Sequence, residues 1–150
     1  MGIFDRLRDR REQSQLTQEL GHGLWRRAHD RFVRALDRYH QILEGVEDEA
    51  AYNQLALLGN ELADRLPIVR GLCADCQRTH PSDELTVPNE SRQVHARLSS
   101  AANALATTAE AAALFRMHQV PFERVRARAE KVFDEVDDAA TAARAGRKQG

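Results

Sequence analysis

The sequence has few of the residues and motifs that mark enzymes, secreted proteins or membrane proteins. Only 2 of its 150 residues are cysteine, and its 8 glycines and 4 prolines are scattered. It contains no glycine-rich phosphate-binding loop and no Gly-x-Ser-x-Gly motif, which are typical of nucleotide-binding proteins and hydrolases. No apolar run reaches the roughly 18 residues of a membrane-spanning helix, and no signal-peptide segment is visible. These absences favour a cytoplasmic protein without catalytic activity.

The charges nearly cancel. Lysine and arginine number 22, aspartate and glutamate number 23, and the net charge is −1. Proteins that bind nucleic acid usually carry a strongly basic face, so we do not expect nucleic acid as a partner. A chain of this length can bury one core without disulfides or structural metals.

The strongest pattern lies between Leu55 and His80, where apolar residues recur at intervals of three or four. This spacing predicts one face of a long helix. Pro67 removes a backbone hydrogen bond and should kink that helix at about 63–66. The residues of the face are Leu55, Leu58, Leu62, Leu66, Val69, Cys73 and Cys76.

Similar apolar faces predict three more long helices, over about 24–44, from Asn89 to about His118, and from Pro121 onwards. Short connections favour antiparallel neighbours, so the predicted fold is all-α, an antiparallel four-helix bundle over residues 24–145. Residues 1–23 should form a charged helical arm, interrupted at Gly21-His22-Gly23, and residues 146–150 a disordered tail.

The two cysteines allow a metal interpretation. Thiolates are good zinc ligands, and a two-residue gap lets both sulfur atoms reach one ion. If the helix that ends before His80 and the helix that begins at Asn89 are antiparallel, Cys76 and His95 lie at similar levels with His80 between them. The candidate zinc ligands are therefore Cys73, Cys76, His80 and His95, although this spacing matches no common zinc module. The same thiols could also carry out redox chemistry, but cysteines that continue a leucine face are more typical of a core.

We therefore expect a structural or protein-interaction module, with a metal-binding or thiol-redox protein as the alternative. Several large apolar residues lie at the edges of the predicted faces, which favours a homodimer that buries Leu57, Ile68 and Leu72. In the arm, Ile3, Phe4 and Leu7 stand beside four arginines, a composition that an anionic membrane surface could bind. Because this apolar face has only three residues, the sequence favours a protein partner over a membrane.

Overall fold

The computed structural model describes residues 2–149, and all regular structure in that range is helical. A short 3-10 helix at Asn89–Ser91 precedes the fifth of six α-helices. The all-α class is thereby confirmed. No helix in this part of the chain is both long and apolar enough to cross a membrane. The helices are α1 Ile3–Leu20, α2 Leu24–Glu44, α3 Glu49–Ala63, α4 Leu66–Thr79, α5 Arg92–Arg116 and α6 Phe122–Gln149.

The core consists of the apolar faces predicted from the sequence. Trp25, Phe32 and Tyr39 of α2 are the largest fully buried side chains. The most extensive contact between helices joins α5 to α6, and α2 also packs on α5. Small side chains in such a contact allow helix axes to approach closely. The buried alanines of α5 are Ala101, Ala102, Ala104, Ala109, Ala111 and Ala112.

One of the three apolar residues predicted for a dimer interface is buried instead. Leu72 is only 7% exposed. The expectation that Leu72 lies in a dimer interface is therefore wrong, because the chain's own core covers it. Leu57 and Ile68 remain exposed, at 69% and 42%.

The predicted kink in the second long helix is a break. α3 ends at Ala63 and α4 begins at Leu66. Pro67 lies in the first turn of α4, where a missing N–H costs nothing because it would have no partner within the helix. At the other end of α3, the Asp48 side chain accepts a 2.8 Å hydrogen bond from the Ala51 N–H, as expected of a helix N-cap.

The glycine interruption between α1 and α2 is a packing site for the loop that follows α4. Gly21 has a φ of 73°, a conformation that glycine adopts more easily than other residues. At Gly23, a Cβ atom would lie 2.5 Å from the Asp83 carbonyl carbon. The Leu24 N–H donates to the Glu84 carbonyl oxygen at 3.2 Å. The loop therefore approaches the α1–α2 junction more closely than a side chain would permit.

Helix α1 is exposed over residues 3–15 but docks on the body through its second half. Leu16 is 5% exposed and Leu20 is fully buried. An ion pair between Glu19 and Arg70 of α4, 2.8 Å apart, lies beside them. The sequence predicted the arm but gave no sign of this docking, because two leucines alone do not make a continuous apolar face.

Helix α6 extends to Gln149, into the segment 146–150 where the sequence predicted a disordered tail. Alanine, arginine and lysine favour helix, and Gly146 alone is not enough to end it. Gly150 lies outside the described residues, as do the side chains beyond Arg147.

Candidate functional site

Cys73 lies in the interior, between α4 and the rest of the core. It is fully buried and is not part of a disulfide. Burial raises the pKa of its thiol, and the nearby Cys76 and Asp30 raise it further. Cys73 is therefore a protonated core residue at neutral pH, as the continuation of the leucine face indicated.

Cys76 borders a cavity of about 230 Å³ between the end of α4, the start of α5 and the end of α6. Burial raises the pKa of its thiol to about 11, although a hydrogen bond with the Ser91 side chain acts in the opposite direction. Nucleophilic thiols and metal-bound thiols are deprotonated, so this environment does not activate Cys76. Arg147 and Asp75, 3.3 Å apart, line the same cavity.

His80 also lines this cavity, and Ser91 connects it to the thiol. The Ser91 Oγ lies 3.4 Å from the His80 Nδ1, and Ser91 is only 2% exposed. Sequence analysis placed Cys76 and His80 together but missed Ser91, which is the residue between them. Serine at a helix start is a common capping residue, but the Ser91 side chain makes no cap hydrogen bond. No local signal therefore identifies Ser91 as a neighbour of the α4 end.

His95 is not in this cavity. Its ring stacks edge-on against Trp25, with ring centroids 5.8 Å apart. Burial lowers the pKa of His95, and the positive charge of Arg31 lowers it further. The face of α5 that carries His95 is thus turned towards α2.

The four candidate zinc ligands are thus distributed over three environments. Cys73 is in the core, Cys76 and His80 share a cavity, and His95 packs on Trp25. Within the described part of the chain, no group of three or more histidine, cysteine, aspartate or glutamate side chains could hold a metal ion. Zinc binding by this set stays a prediction, to be tested by elemental analysis of protein purified without a metal-affinity tag.

A larger groove, of about 490 Å³, lies between α1, α2 and α4. Its wall includes His29, which is 4% exposed and whose Nδ1 lies 2.9 Å from the Asp30 carboxylate. The Arg26 guanidinium holds both oxygens of that carboxylate at 3.1 Å. Arg26 also donates to Gln13 and Thr17 of α1. This network fixes α1 against α2, so these charged groups have a structural role.

Among residues 2–147, the two most exposed large apolar side chains, Phe4 and Ile3, are on the first half of α1, and Leu7 lies on the same face. Ile3 is 75% exposed, Phe4 is 81% exposed and Leu7 is 45% exposed. We call these three residues the arm face. Elsewhere in the described part of the chain, only Leu114 and Met117 among the exposed large apolar residues are within four positions of each other. Scattered exposure of this kind is normal for a protein surface. The arm face is therefore the strongest candidate for a site of contact with another molecule.

No model of a known protein family, no curated protein and no solved structure matches this chain.

Proposed function

We propose that this chain is a helical interaction module whose arm face contacts a partner. The observation that carries the proposal is the exposure of Ile3, Phe4 and Leu7, at 75%, 81% and 45%, on a helix whose other half is buried against the body. Contiguous exposed apolar side chains are typical of interaction sites. The rest of the chain holds this helix in place by Leu16 and Leu20, so the face is presented on a fixed support.

The zinc or thiol-redox alternative has less support. Burial raises the pKa of both cysteine thiols, whereas metal binding and nucleophilic attack both require the thiolate. His80 is linked to Cys76 only through Ser91. The arrangement of Cys76, Ser91 and His80 therefore suits packing at the end of the core better than metal binding or redox chemistry.

For the body of the module we propose the antiparallel four-helix arrangement, with α3 and α4 together as one interrupted helix. The connections at residues 45–48 and 117–121 are short, which favours antiparallel neighbours. Beside the second connection, the rings of Phe115 and Phe122 are 5.8 Å apart. An ion pair between Arg97, near the start of α5, and Glu135, farther along α6, at 3.3 Å, also supports an antiparallel α5 and α6.

A homodimer remains part of the proposal, with Leu57 and Ile68 as its contact residues. Both are exposed on the side of α3 and α4 that the core leaves uncovered. Light scattering at micromolar concentration should give twice the chain mass of 16.9 kDa. A mass near that of one chain would refute the dimer and leave the arm face unaffected.

The first test of the arm face asks whether the fold needs it. Replacing Ile3, Phe4 and Leu7 together by serine should change the free energy of unfolding by no more than about 0.5 kcal/mol, as expected for exposed positions. The matched control on the same helix is Leu20→Ala, which should cost about 2–5 kcal/mol because Leu20 is buried. If the serine variant is destabilised as much as Leu20→Ala, the arm face serves the fold and the proposal is wrong.

The second test asks whether the face touches anything else. A photo-crosslinking amino acid is placed at position 4 in living cells, and at position 9 on the opposite side of the same helix as control. We expect adducts, with protein or lipid, at position 4 in clear excess over position 9. Equal yields at the two positions would refute the proposal.

A further inference from the structure

The charged residues of α1 are separated around the helix. Successive residues of an α-helix are about 100° apart around its axis. Counted in this way, the arm face and Arg11 lie within an arc of about 100°. Arg8 borders this arc on one side. On the other side it is bordered by Arg10 and Arg6. The acidic residues Asp5, Asp9 and Glu12 all fall on the opposite side, in an arc of about 60°. The first half of α1 therefore has one basic side and one acidic side, although its positive and negative charges largely cancel.

The arm face points away from the body of the protein. Leu16 and Leu20, which dock α1 on the body, lie on the acidic side of the helix by the same angular count. Because α1 is one uninterrupted helix from Ile3 to Leu20, the body lies on the side of this helix opposite the arm face. A flat surface can therefore approach the arm face without meeting the rest of the molecule.

The arginines around the arm face are available to a partner. Arg6, Arg8, Arg10 and Arg11 are exposed. Among residues 2–147, none of the four forms an ion pair. An apolar strip bordered by arginine is the pattern of helices that lie in the interface of a bilayer. There the apolar side chains enter the boundary between headgroups and acyl chains, and the basic side chains contact anionic headgroups.

We propose that the arm face binds the surface of an anionic lipid bilayer, an inference that rests on the proposed function of the arm. Exposed Ile3, Phe4 and Leu7 would enter the interface, and the four arginines would hold phosphate groups on either side. The acidic residues would face away from the lipid, where screening weakens their repulsion. On sequence alone the shortness of the apolar face argues against this partner, but the exposure of all three of its residues and the separation of charges outweigh that argument.

The test uses the full chain and vesicles of phosphatidylcholine, with and without phosphatidylserine. We expect co-sedimentation with the anionic vesicles only, and its loss at about 1 M salt, where the Debye length falls to about 3 Å. Phe4→Ser should abolish binding, and each arginine replaced by glutamine should weaken it about fivefold. The matched control is Leu85→Ser, which removes a leucine that is 58% exposed in the loop after α4 and should bind normally.

A fluorescent variant reports insertion directly. Phe4→Trp keeps an aromatic residue in the arm face, and the single native tryptophan, Trp25, is fully buried and gives a constant background. With anionic vesicles, the emission of this variant should shift to shorter wavelength and become protected from acrylamide quenching. Binding without this shift would mean that the arm face stays in water, and would overturn the proposal.

Other outcomes separate this inference from the function on which it rests. If soluble polyglutamate binds as well as the vesicles do, or if Phe4→Ser still binds the vesicles, charge alone is recognised and the bilayer proposal is wrong. If the chain ignores anionic vesicles while position 4 still crosslinks to protein, the bilayer proposal fails and the interaction function stands. If position 4 crosslinks no better than position 9, both fail.

Discussion

Gly23→Ala should destabilise the protein because the loop after α4 leaves no room for a side chain. A Cβ atom at this position would lie 2.5 Å from the carbonyl carbon of Asp83, 2.6 Å from the carbonyl oxygen of Ser82 and 2.8 Å from the Asp83 Cα. All three atoms belong to the backbone, so no change of rotamer can relieve the overlap. The loop must move away, and the hydrogen bond from the Leu24 N–H to the Glu84 carbonyl oxygen is lost with it.

Overpacking of this kind typically costs about 1–3 kcal/mol, and the lost hydrogen bond adds about 1 kcal/mol. For a chain of this size, each kcal/mol lowers the melting temperature by about 2–4 °C. Thermal unfolding followed by circular dichroism should therefore show a clear decrease. Hydrogen exchange at the Leu24 amide should be faster, which locates the damage at the junction.

The control is Gly71→Ala in α4. No atom lies within 4 Å of a Cβ at Gly71, and alanine is about 1 kcal/mol better than glycine inside a helix. This variant should therefore raise the melting temperature. If the two alanine variants shift the melting temperature in the same direction, the close approach of the loop at Gly23 is not what the structure indicates.

Three further predictions concern the core. Leu62 is fully buried, so Leu62→Ala should cost about 2–5 kcal/mol in urea unfolding, and an effect no larger than that of exposed Gln54→Ala would refute the core described here. Cys73 and Cys76 should react slowly with a thiol reagent in the native protein and fast in urea, because burial keeps both thiols protonated; fast native labelling would contradict their burial. Because burial lowers the pKa of His95, its protonation opposes folding, so the free energy of unfolding should decrease as the pH falls below about 6.5. A His95→Leu variant should lose part of this dependence, and an unchanged pH profile would contradict the burial of the ring.

The helices were predictable from the sequence because each has a periodic apolar face. The interval of three or four residues identified α2, α5 and α6 to within a few residues, and Pro67 located the break between α3 and α4. Propensity alone placed the start of α5 at Asn89, where the chain makes a short 3-10 helix first. Helix ends depend on single hydrogen bonds and are therefore harder to predict than helix faces.

The candidate sites were predictable only in part, because they depend on how helices face one another. Periodicity places His95 near one end of α5 but does not say that it faces Trp25 rather than Cys76. Ser91 lacks any signal of its own beyond its place at a helix start. The docking of Leu16 and Leu20 depends on contacts of α1 with α2 and with α4, which is distant in sequence. These are tertiary contacts, and no local pattern encodes them.

The alanine-rich contact of α5 with α6 restricts how this sequence can evolve. When two large residues meet in a core, an enlargement on one helix can be compensated by a reduction on the other. Where Ala109 and Ala112 of α5 and Ala129 of α6 are buried, the only smaller residue is glycine, which costs about 1 kcal/mol in a helix. A larger residue here therefore has no inexpensive second-site compensation. Among homologues, these positions should be restricted to small residues even where the surrounding surface varies freely.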